Sequence, residues 1–562
     1  MLTNIPAPRD TEKLVQRGFG GLDRRPGSRS VGSGSALAFV IRDEKNMSGR
    51  KTPLLSTRQP RRIAAHAETP NGLTAYDGRL VWADGTSLVI GGEPVSGVTL
   101  TNSKKVFAQL GSRLLIWPDK VMWDGESLTP LEAEFTAQGL AFGDGTYAEE
   151  QAKANSITTD GDTPFPFRVG DAVTISGCTV QPENNKTPII REISADGKTL
   201  RFYENTFTVP EGQTSVTEPG SVTLARTVPD LDFLCVNENR VWGCHGDTVC
   251  CCKPGDPFNW NVFDGISTDA WAAETGTAGD FTGCFAFMGY PIFFKEDRVF
   301  KVYGNRPSNF EMLGAATLGV LSGCENSLAV AGETLLYLSR AGVCAYTGGF
   351  PYLVGQALDD ASGAYRWAAA GSDGVRYYVC LSRAADRSDA RLLCYDTQTG
   401  LWHAEDAQQA LSFAWASGSG LFELLSDGTV QSVGAPPQDA PAAWDGEQPF
   451  SCEVTFDRLD MGFFGGKYPV RLWLRYDTVG GAALAVSVSY DDGAFESAAE
   501  LPARGTTGTS DTPVPIRRCD HFAVRLACSP NEEENGNTEQ GAVGFTVYDV
   551  ELDVVPGIGS RK

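Results

Sequence analysis

The sequence predicts an all-β protein built around a β-propeller of about seven blades, and three observations lead to this fold class. A phrase of apolar strand, tight turn and apolar strand occurs seven times between residues 73 and 434. Glycine is abundant, at 63 of 562 residues, and helical periodicity is almost absent. Hairpins that recur every 35 to 50 residues or so are typical of propellers, in which small sheets stack around an axis.

The seven copies of this phrase consist of two apolar runs joined by a turn. In the copy at 79–90, Asp84-Gly85 supplies the turn, because such dipeptides tolerate the left-handed backbone of a tight hairpin. The other copies lie at 113–123, 240–252, 291–303, 334–346, 375–395 and 420–433.

The propeller pattern is interrupted once and then ends. Short alternating strands with turns such as Asp196-Gly197 predict a small inserted β-barrel. A proline-rich linker follows residue 434, and the alternating apolar and polar strands beyond it predict a C-terminal β-sandwich. The predicted boundaries are an arm at 1–65, propeller at 66–140, barrel at 141–228, propeller at 229–434, linker at 435–449 and sandwich at 450–562.

Charge is distributed unevenly along the chain. Residues 1–62 contain 13 Lys and Arg against 5 Asp and Glu, whereas the whole chain has a net charge of −23. The acidic body favours solubility, or a surface that repels nucleic acid. The basic start is rich in glycine and serine, which predicts an extended arm that docks onto acidic neighbours. The candidate assembly residues in this arm are Arg24, Arg25, Arg58, Arg61 and Arg62.

Composition also argues against several classes of site. No apolar run approaches the roughly 18 residues of a membrane span, and the start lacks the apolar core of a secretory signal. We therefore expect synthesis in a cytoplasm and no membrane span. No cofactor or metal site is predicted: Cys-x-x-Cys pairs are absent, only four histidines occur, and the adjacent Cys250, Cys251 and Cys252 alternate sides of a strand.

Motifs for catalysis are weak, so we predict that the protein is not an enzyme. The segment Ser489-Tyr-Asp-Asp-Gly-Ala-Phe495 is close to a sialidase Asp-box, but a plain hairpin turn explains it better. The neighbouring acids Asp359 and Asp360 are one pair among 70 acidic residues. His245 and His403 lie near strand ends, where histidine is more often structural than a general base. Nucleophile elbows and phosphate-binding loops are absent from the sequence.

Several segments resemble a family of virion propeller proteins from tailed bacteriophages. The most specific is 250–265, which contains Lys253-Pro-Gly-Asp-Pro-Phe-Asn-Trp260 after an apolar strand. Residues 293–304, 319–327 and 336–349 resemble the following blades of that family, and 19–23 and 46–58 resemble its opening segment. The similarity spans most of 15–430. The insertion at 141–228 and the C-terminal sandwich depart from the family pattern.

The resemblance implies a function, because the family includes tail nozzle (tail tubular protein B-like) and packaged-DNA-stabilisation proteins. On this hypothesis the chain is a structural protein of the virion tail or neck. It would form a homo-oligomeric ring of six copies that conducts and helps retain DNA without binding it specifically. Portal or adaptor proteins, other tail proteins and tail fibres are its expected partners. The virion is its expected location, after synthesis in the host bacterial cytoplasm.

Two alternatives remain open from the residues alone. A receptor- or glycan-binding tail module would place sugars against tryptophans at blade turns, namely Trp82, Trp117 or Trp402. Packing in the hydrophobic core is the more common role of such tryptophans. The less favoured alternative is a glycoside-cleaving propeller enzyme, which requires a pair of carboxylates with separated pKa values.

Overall fold

A computed structural model confirms the predicted fold class. It describes residues 11–25, 39–97, 99–143, 155–203, 206–263, 266–359, 363–433, 445–446, 450–530 and 543–557. The chain is a β-propeller with an inserted small β-barrel and a β-sandwich. Helical structure within these ranges is confined to five short 3₁₀ turns, at Gly49–Lys51, Pro182–Asn184, Pro307–Asn309, Glu325–Ser327 and Gly355–Leu358.

Seven antiparallel sheets form the blades, which we number 1 to 7 in chain order. Blades 1 to 6 have four strands each, and each strand pairs with the next one along the chain. Their strands are Pro70–Tyr76, Arg79–Asp84, Ser87–Ile90 and Glu93–Pro94 in blade 1; Val106–Leu110, Arg113–Trp117, Val121–Trp123 and Leu128–Pro130 in blade 2; Phe233–Asn237, Arg240–His245, Thr248–Cys251 and Trp271–Glu274 in blade 3; Gly283–Phe287, Tyr290–Lys295, Arg298–Tyr303 and Glu311–Ala316 in blade 4; Ala329–Ala331, Thr334–Ser339, Gly342–Tyr346 and Tyr352–Leu353 in blade 5; and Trp367–Ser372, Arg376–Ser382, Arg391–Asp396 and Leu401–Asp406 in blade 6.

Blade 7 takes its strands from distant parts of the chain. It begins with Ala410–Ala416, Gly420–Leu425 and Thr429–Ser432. The strand Arg62–His66 then pairs with Thr429–Ser432, with Val430 opposite Ala65, and Asp445–Gly446 pairs with the other side of Arg62–His66. This pairing covers a sheet edge that would otherwise present free N–H and C=O groups. The rest of the predicted linker, 435–449, lies outside the described residues.

The blades pack face to face, which explains their apolar sequences. The chain divides into two compact units, one formed by 1–84, 90–92 and 320–562 and the other by 85–89 and 93–319. In the first unit, Tyr378 and Cys380 of blade 6 share a core with Leu421 and Leu425 of blade 7. In the second unit, blades 2 and 3 share one core, and blades 3 and 4 share another. A strand covered on both faces becomes a continuous apolar run.

The first strands of successive blades lie side by side within each unit, as in a propeller. In the first unit this applies to blades 5, 6, 7 and 1, and in the second unit to blades 2, 3 and 4. Within each unit, the inner strand of one blade thus contacts the inner strand of the next.

The insertion in the second unit is a small closed barrel. Its sheet runs in the order Thr174–Ser176, Ser215–Arg226, Ala133–Gly143, Ser156–Thr158, Thr199–Phe202 and Ile190–Ile193. The first and last strands meet through the bridge between Ala172 and Ile189 and the hydrogen bond from the Ile175 N–H to the Lys186 carbonyl, 2.8 Å long. Alternating apolar residues fill the interior, including Phe142, Ile157 and Leu224.

The sandwich in the first unit consists of two sheets, which we call the A sheet and the B sheet. The A sheet runs Met47–Ser48, Leu55–Thr57, Gly544–Pro556, Lys467–Val479 and Gly508–Pro513, with Glu12–Gln16 also paired to Gly544–Pro556. The B sheet runs Ile41–Lys45, Cys452–Phe456, Phe522–Cys528, Leu484–Tyr490 and Glu496–Leu501.

The predicted arm at residues 1–65 is wrong for its described part, because these residues are integral to the sandwich and to blade 7. Four segments of 12–57 supply strands to both sandwich sheets. Phe39 packs edge-on against Phe456 with ring centroids 4.9 Å apart, and Ile41 pairs with Phe456 in the B sheet. The segment resembles an arm in sequence because its strands are short and their long-range partners lie roughly 400 to 540 residues away.

Among the described residues, no helical segment is long or apolar enough to cross a bilayer.

The packing of Ile41 allows a direct test of whether the strand Ile41–Lys45 is an integral part of the sandwich. Ile41 is 0% exposed, so Ile41→Ala should lower the free energy of unfolding by about 2–5 kcal/mol through the cavity that it leaves. Val15 is 47% exposed, and Val15→Ala should change stability by less than about 0.5 kcal/mol. Denaturant midpoints measured by circular dichroism check both values. Equal midpoints for the two variants would support a loosely attached arm.

Candidate functional site

The arginines predicted to dock onto neighbouring proteins are mostly buried within the chain. Arg24 donates to Asp43 over 2.9 Å and is almost fully covered. Arg58 is also buried, with its Nε donating to Asn46 over 2.7 Å and its guanidinium 3.9 Å from the Phe450 ring centroid. Arg61 is completely buried as well. The docking prediction is therefore wrong for these three side chains, because buried groups cannot reach a partner.

The other two candidates, Arg25 and Arg62, are exposed. Arg25 forms an ion pair with Asp23 at 2.5 Å, and the backbone N–H of Arg62 donates to the Ser432 hydroxyl over 3.0 Å. The structure does not bring the five arginines together as one exposed patch. A docking role for these two exposed residues stays a prediction.

Arg61 lies at the centre of a buried charge cluster in the first unit. Its guanidinium lies 3.0 Å from Glu405, 2.5 Å from Asp406 and 2.8 Å from Glu423. Arg58 adds a second positive charge, 3.9 Å from Asp406. Three carboxylates thus face two guanidinium groups. The unbalanced negative charge favours retention of one proton in the cluster.

Glu423 is the carboxyl group in this cluster whose raised pKa favours its holding that proton. Burial raises the pKa of Glu423 from its usual 4.5 to about 7, and repulsion from Asp406 and Glu405 adds to the effect of burial, although Arg61 opposes it. Gln431 donates to the Glu423 carboxyl over 2.8 Å. The cluster joins the strand at Arg62–His66 to blades 6 and 7, so its role is structural.

The three tryptophans proposed as sugar platforms belong to the core. Trp82, Trp117 and Trp402 are all buried. The indole N–H of Trp117 donates to the Pro229 carbonyl over 3.1 Å, and that of Trp402 donates to the Val354 carbonyl over 2.9 Å. Core packing is confirmed for these residues, and glycan binding through them is excluded.

The remaining sequence candidates also have structural roles. Asp491 and Asp492 have φ values of 47° and 61° and form the hairpin turn between Leu484–Tyr490 and Glu496–Leu501, which confirms the turn interpretation. His245 lies 3.0 Å from Asp232 at the surface. Asp359 is exposed, whereas Asp360 lies outside the described residues.

His403 is buried, and its Nδ1 lies 3.1 Å from the Glu44 carboxylate. Burial lowers the pKa of His403, but the Glu44 carboxylate outweighs burial, and the net shift of the pKa is upward. The pair ties the strand Ile41–Lys45 to blade 6 within the first unit.

All fourteen cysteines are buried and free. A hydrogen bond with Cys452 lowers the pKa of the Cys528 thiol, whereas burial raises the pKa of the Cys251 thiol to about 12. A thiol with so high a pKa is protonated at neutral pH and is a poor nucleophile. Over the described ranges, no group of three or more His, Cys, Asp and Glu side chains is arranged to hold a metal ion.

The second unit contains a concave site on blades 3 and 4 that sequence reasoning missed, and we call it the tyrosine pocket. Its volume is about 520 Å³. It is open to solvent at the turn ends of the two blades. The side chains that define it are Glu238, Met288, Tyr290, Tyr303, Asn305 and Asn309.

Two tyrosine rings form the apolar part of this pocket. The rings of Tyr290 and Tyr303 lie 5.3 Å apart between centroids, and Tyr303 is 37% exposed. The Lys301 ammonium lies 3.8 Å from the Tyr290 centroid and 5.0 Å from that of Tyr303. This cation–π contact holds both rings in place. Met288, which is also exposed, adds a further apolar group.

Two tight turns and one loop position the polar groups. Glu238 and Met288 each begin a hairpin turn with a left-handed backbone, at φ values of 48° and 53°. The carboxamide oxygen of Asn309 accepts the backbone N–H groups of Asn305 and Arg306 over 3.1 and 3.0 Å, and its nitrogen donates to the Asn305 side chain. The loop is therefore shaped before any ligand arrives.

Several polar groups in the pocket have no partner in the described chain. The Glu238 carboxylate and the hydroxyls of Tyr290 and Tyr303 make no internal hydrogen bond there. The Asn305 side chain uses its oxygen to accept from Asn309, so its two N–H donors stay available. The pocket thus offers a carboxylate, amide donors and phenolic hydroxyls beside an exposed ring. The turn-rich segment Tyr303-Gly-Asn-Arg-Pro-Ser-Asn309 was the available sequence signal.

Comparison with known proteins gives only distant structural similarity. No family model and no curated protein matches the chain. Exo-β-1,3-galactanase from Phanerochaete chrysosporium, solved with galactose, is 10% identical with a TM-score of 0.21 and covers 56% of this chain and 92% of its own. An arabinoxylan arabinofuranohydrolase of glycoside hydrolase family 43 from Bacillus subtilis is 11% identical with a TM-score of 0.16, covering 57% of this chain and 78% of its own. The CBM32-5 module from Clostridium perfringens, in complex with GalNAc-β-1,3-galactose, is 14% identical with a TM-score of 0.13, covering 19% of this chain and 67% of its own.

These neighbours contradict two predictions made from the sequence. The chain was expected to be a structural protein of a tailed-phage virion and not an enzyme, whereas the three structures named above are two glycoside hydrolases and a carbohydrate-binding module. Both predictions are corrected accordingly. The resemblance to virion propellers, the oligomeric state, the partners and the location stay untested. At these TM-scores no substrate or residue role is carried over to this chain.

The buried cluster predicts a pH dependence of stability. The pKa of Glu423 is higher in the folded protein than in the unfolded chain, so its contribution is fully present below about pH 4.5 and is lost as the pH rises through about 7. Glu423→Gln removes this titration. Between pH 5 and pH 8 the wild type should therefore lose about 2–3 kcal/mol more stability than the variant, at about 1.4 kcal/mol per pKa unit.

Urea denaturation at several pH values measures this difference. Glu333→Gln is a matched control, because Glu333 is exposed on a turn of blade 5. This control should follow the wild-type pH profile. A Glu423→Gln profile identical to that of the wild type would show that Glu423 is ionised throughout this range.

Proposed function

We propose that this protein binds carbohydrate in the tyrosine pocket. The observation that carries the proposal is the exposed ring of Tyr303 beside polar groups that have no internal partner. The apolar face of a sugar ring packs on an aromatic side chain, and its hydroxyls need donors and acceptors placed around that ring. Tyr303 supplies the platform, Glu238 accepts, and Asn305 donates.

The pocket is organised before binding, which favours recognition of a flexible ligand. Lys301 fixes the two rings, and Asn309 fixes the loop that carries Asn305. Gly304 allows this loop to pack closely, because a Cβ there would lie 2.3 Å from the Asn309 carbonyl oxygen and its φ is 106°. A site that needs little reordering loses less conformational entropy on binding.

The chemistry of the pocket favours binding over cleavage at this site. Glycoside hydrolysis in most families uses two carboxyl groups on either side of the scissile bond. The lining of the tyrosine pocket contains one carboxylate, that of Glu238. Its volume of about 520 Å³ lies within the ordinary range for small-ligand sites, which is roughly 300–1,000 Å³.

Removal of the tyrosine platform tests the proposal. The wild-type chain is first applied to an array of neutral and acidic oligosaccharides, and the strongest ligand is then titrated by calorimetry. Tyr303→Ala should weaken binding about tenfold, because an aromatic platform contributes on the order of 1 kcal/mol or more. Glu238→Gln should weaken binding several-fold, since an amide accepts hydrogen bonds less strongly than a carboxylate.

The matched control is Tyr203→Ala in the inserted barrel, because Tyr203 is 58% exposed and lies outside the pocket. This variant should bind as tightly as the wild type. The proposal fails if the wild type binds no saccharide on the array. It also fails if Tyr303→Ala and Tyr203→Ala have the same affinity.

A further inference from the structure

The sandwich contains a second cavity, separate from the tyrosine pocket, with a volume of about 380 Å³. It lies over the outer face of the B sheet. Strand alternation turns Val454, Val488 and Val524 into the core and leaves small side chains on the outer face. Thr455, Ser489 and Ala523 thereby form a shallow floor. We call this site the sandwich cavity.

An aromatic ring stands at one side of the sandwich cavity. Phe495 lies directly after the hairpin turn and is half-buried. The guanidinium of Arg525 lies 4.0 Å from its ring centroid, donates to the Thr455 hydroxyl over 3.1 Å and faces Glu453 at 3.4 Å. Arg525 thus covers one face of Phe495 and fixes the orientation of the ring.

Another part of the wall is an arginine–aspartate pair whose charges are already matched. Arg458 donates twice to Asp492, over 2.7 Å from both Nε and Nη2. His521 Nε2 lies 3.2 Å from the same carboxylate. The Arg458 contacts lower the pKa of Asp492 and outweigh the opposing effect of burial, which keeps this carboxylate ionised. The pair therefore shapes the cavity and leaves little charge for a ligand.

Arg42 differs from Arg458 in its contacts. One nitrogen of its guanidinium, Nη1, donates to the Arg24 carbonyl over 2.6 Å and to the Arg25 carbonyl over 3.3 Å. The Nε and Nη2 donors make no hydrogen bond, and the group makes no ion pair, with the described residues. Carbonyl contacts orient a guanidinium without neutralising it, and the Asp23 carboxylate that also attracts Arg42 is already hydrogen-bonded to Arg25. Its other edge is a fork that matches the two oxygens of a carboxylate.

We propose that the sandwich cavity binds a hexuronate unit of an acidic oligosaccharide. The ligand carboxylate pairs with the open edge of Arg42, and the apolar face of the sugar ring lies against Phe495. A neutral sugar would offer the open Nε/Nη2 edge of Arg42 no carboxylate to pair with. The cavity is small enough to hold one or two sugar units. The proposal concerns a different site from the tyrosine pocket and stands without it.

The test compares two forms of one ligand. Trigalacturonate and its fully methyl-esterified form have the same rings, and only the first carries charge. Calorimetry on the Tyr303→Ala chain, in which the tyrosine pocket is disabled, should give at least tenfold tighter binding of the acid. Arg42→Gln in the same background should abolish this preference, and Phe495→Ala should weaken both ligands at least threefold.

Arg475→Gln is the matched control, because Arg475 is an exposed arginine on the A sheet that pairs with Asp549 at 2.9 Å. It should leave both affinities unchanged. Arg42→Lys keeps the charge without the fork and should retain part of the preference, and a circular dichroism spectrum establishes that each variant is folded. The inference is overturned if trigalacturonate does not bind, if both forms bind equally, or if folded Arg42→Gln or Arg42→Lys keeps the full preference.

Discussion

The architecture depends on pairing between strands that are far apart in the sequence. The strand Arg62–His66 closes blade 7 by pairing with Thr429–Ser432, and the strands before it complete both sheets of the sandwich. Without these partners, three sheets would expose unpaired backbone groups to water. The buried cluster around Arg61 reinforces the same junction, because it joins this strand to Glu405 of blade 6 and Glu423 of blade 7. Backbone hydrogen bonds and buried ion pairs thus both stabilise the junction of the strand Arg62–His66 with blades 6 and 7.

The two candidate sites use the same construction principle with different chemistry. Each lies where short turns bring an aromatic ring and polar groups together, on strands whose inward faces belong to a packed core. In the tyrosine pocket a lysine fixes the rings and the available groups are a carboxylate, amide donors and hydroxyls. In the sandwich cavity Arg525 fixes the ring of Phe495, and the guanidinium of Arg42 has one edge that makes no hydrogen bond with the described residues. Rigid strands hold the turns in position, which reduces the entropy lost on binding.

Much of the fold could be predicted because its signals are local. Repeated hairpins such as 79–90, dipeptide turns such as Asp84-Gly85 and the strict alternation in 483–490 reflect forces between near neighbours in the chain. The role of the first 65 residues could not be predicted in this way. Ile41 pairs with Phe456, and no local pattern encodes a partner so distant.

The candidate sites were missed for a related reason. Sequence reasoning favoured conspicuous residue types, namely clustered arginines and tryptophans, and most of these are buried. The tyrosine pocket combines Glu238 of one blade with Tyr303 of the next, which only the packing of the two blades brings together. Arg42 resembles any other arginine in the sequence. What distinguishes it is that no carboxylate among the described residues lies within ion-pair distance of its guanidinium, which depends on three-dimensional contacts.

The position of the sandwich strands along the chain has a consequence for biosynthesis. Gly544–Pro556, the partner of Glu12–Gln16, is translated more than 500 residues after that strand. At roughly 5–20 residues per second, this delay amounts to about half a minute or longer. During that time the nascent chain holds the apolar side chains of Leu14, Ile41 and Leu55 without their final cover. The sandwich can therefore close only after Gly544–Pro556 has left the ribosome, and nascent-chain chaperones have a long interval in which to engage this segment.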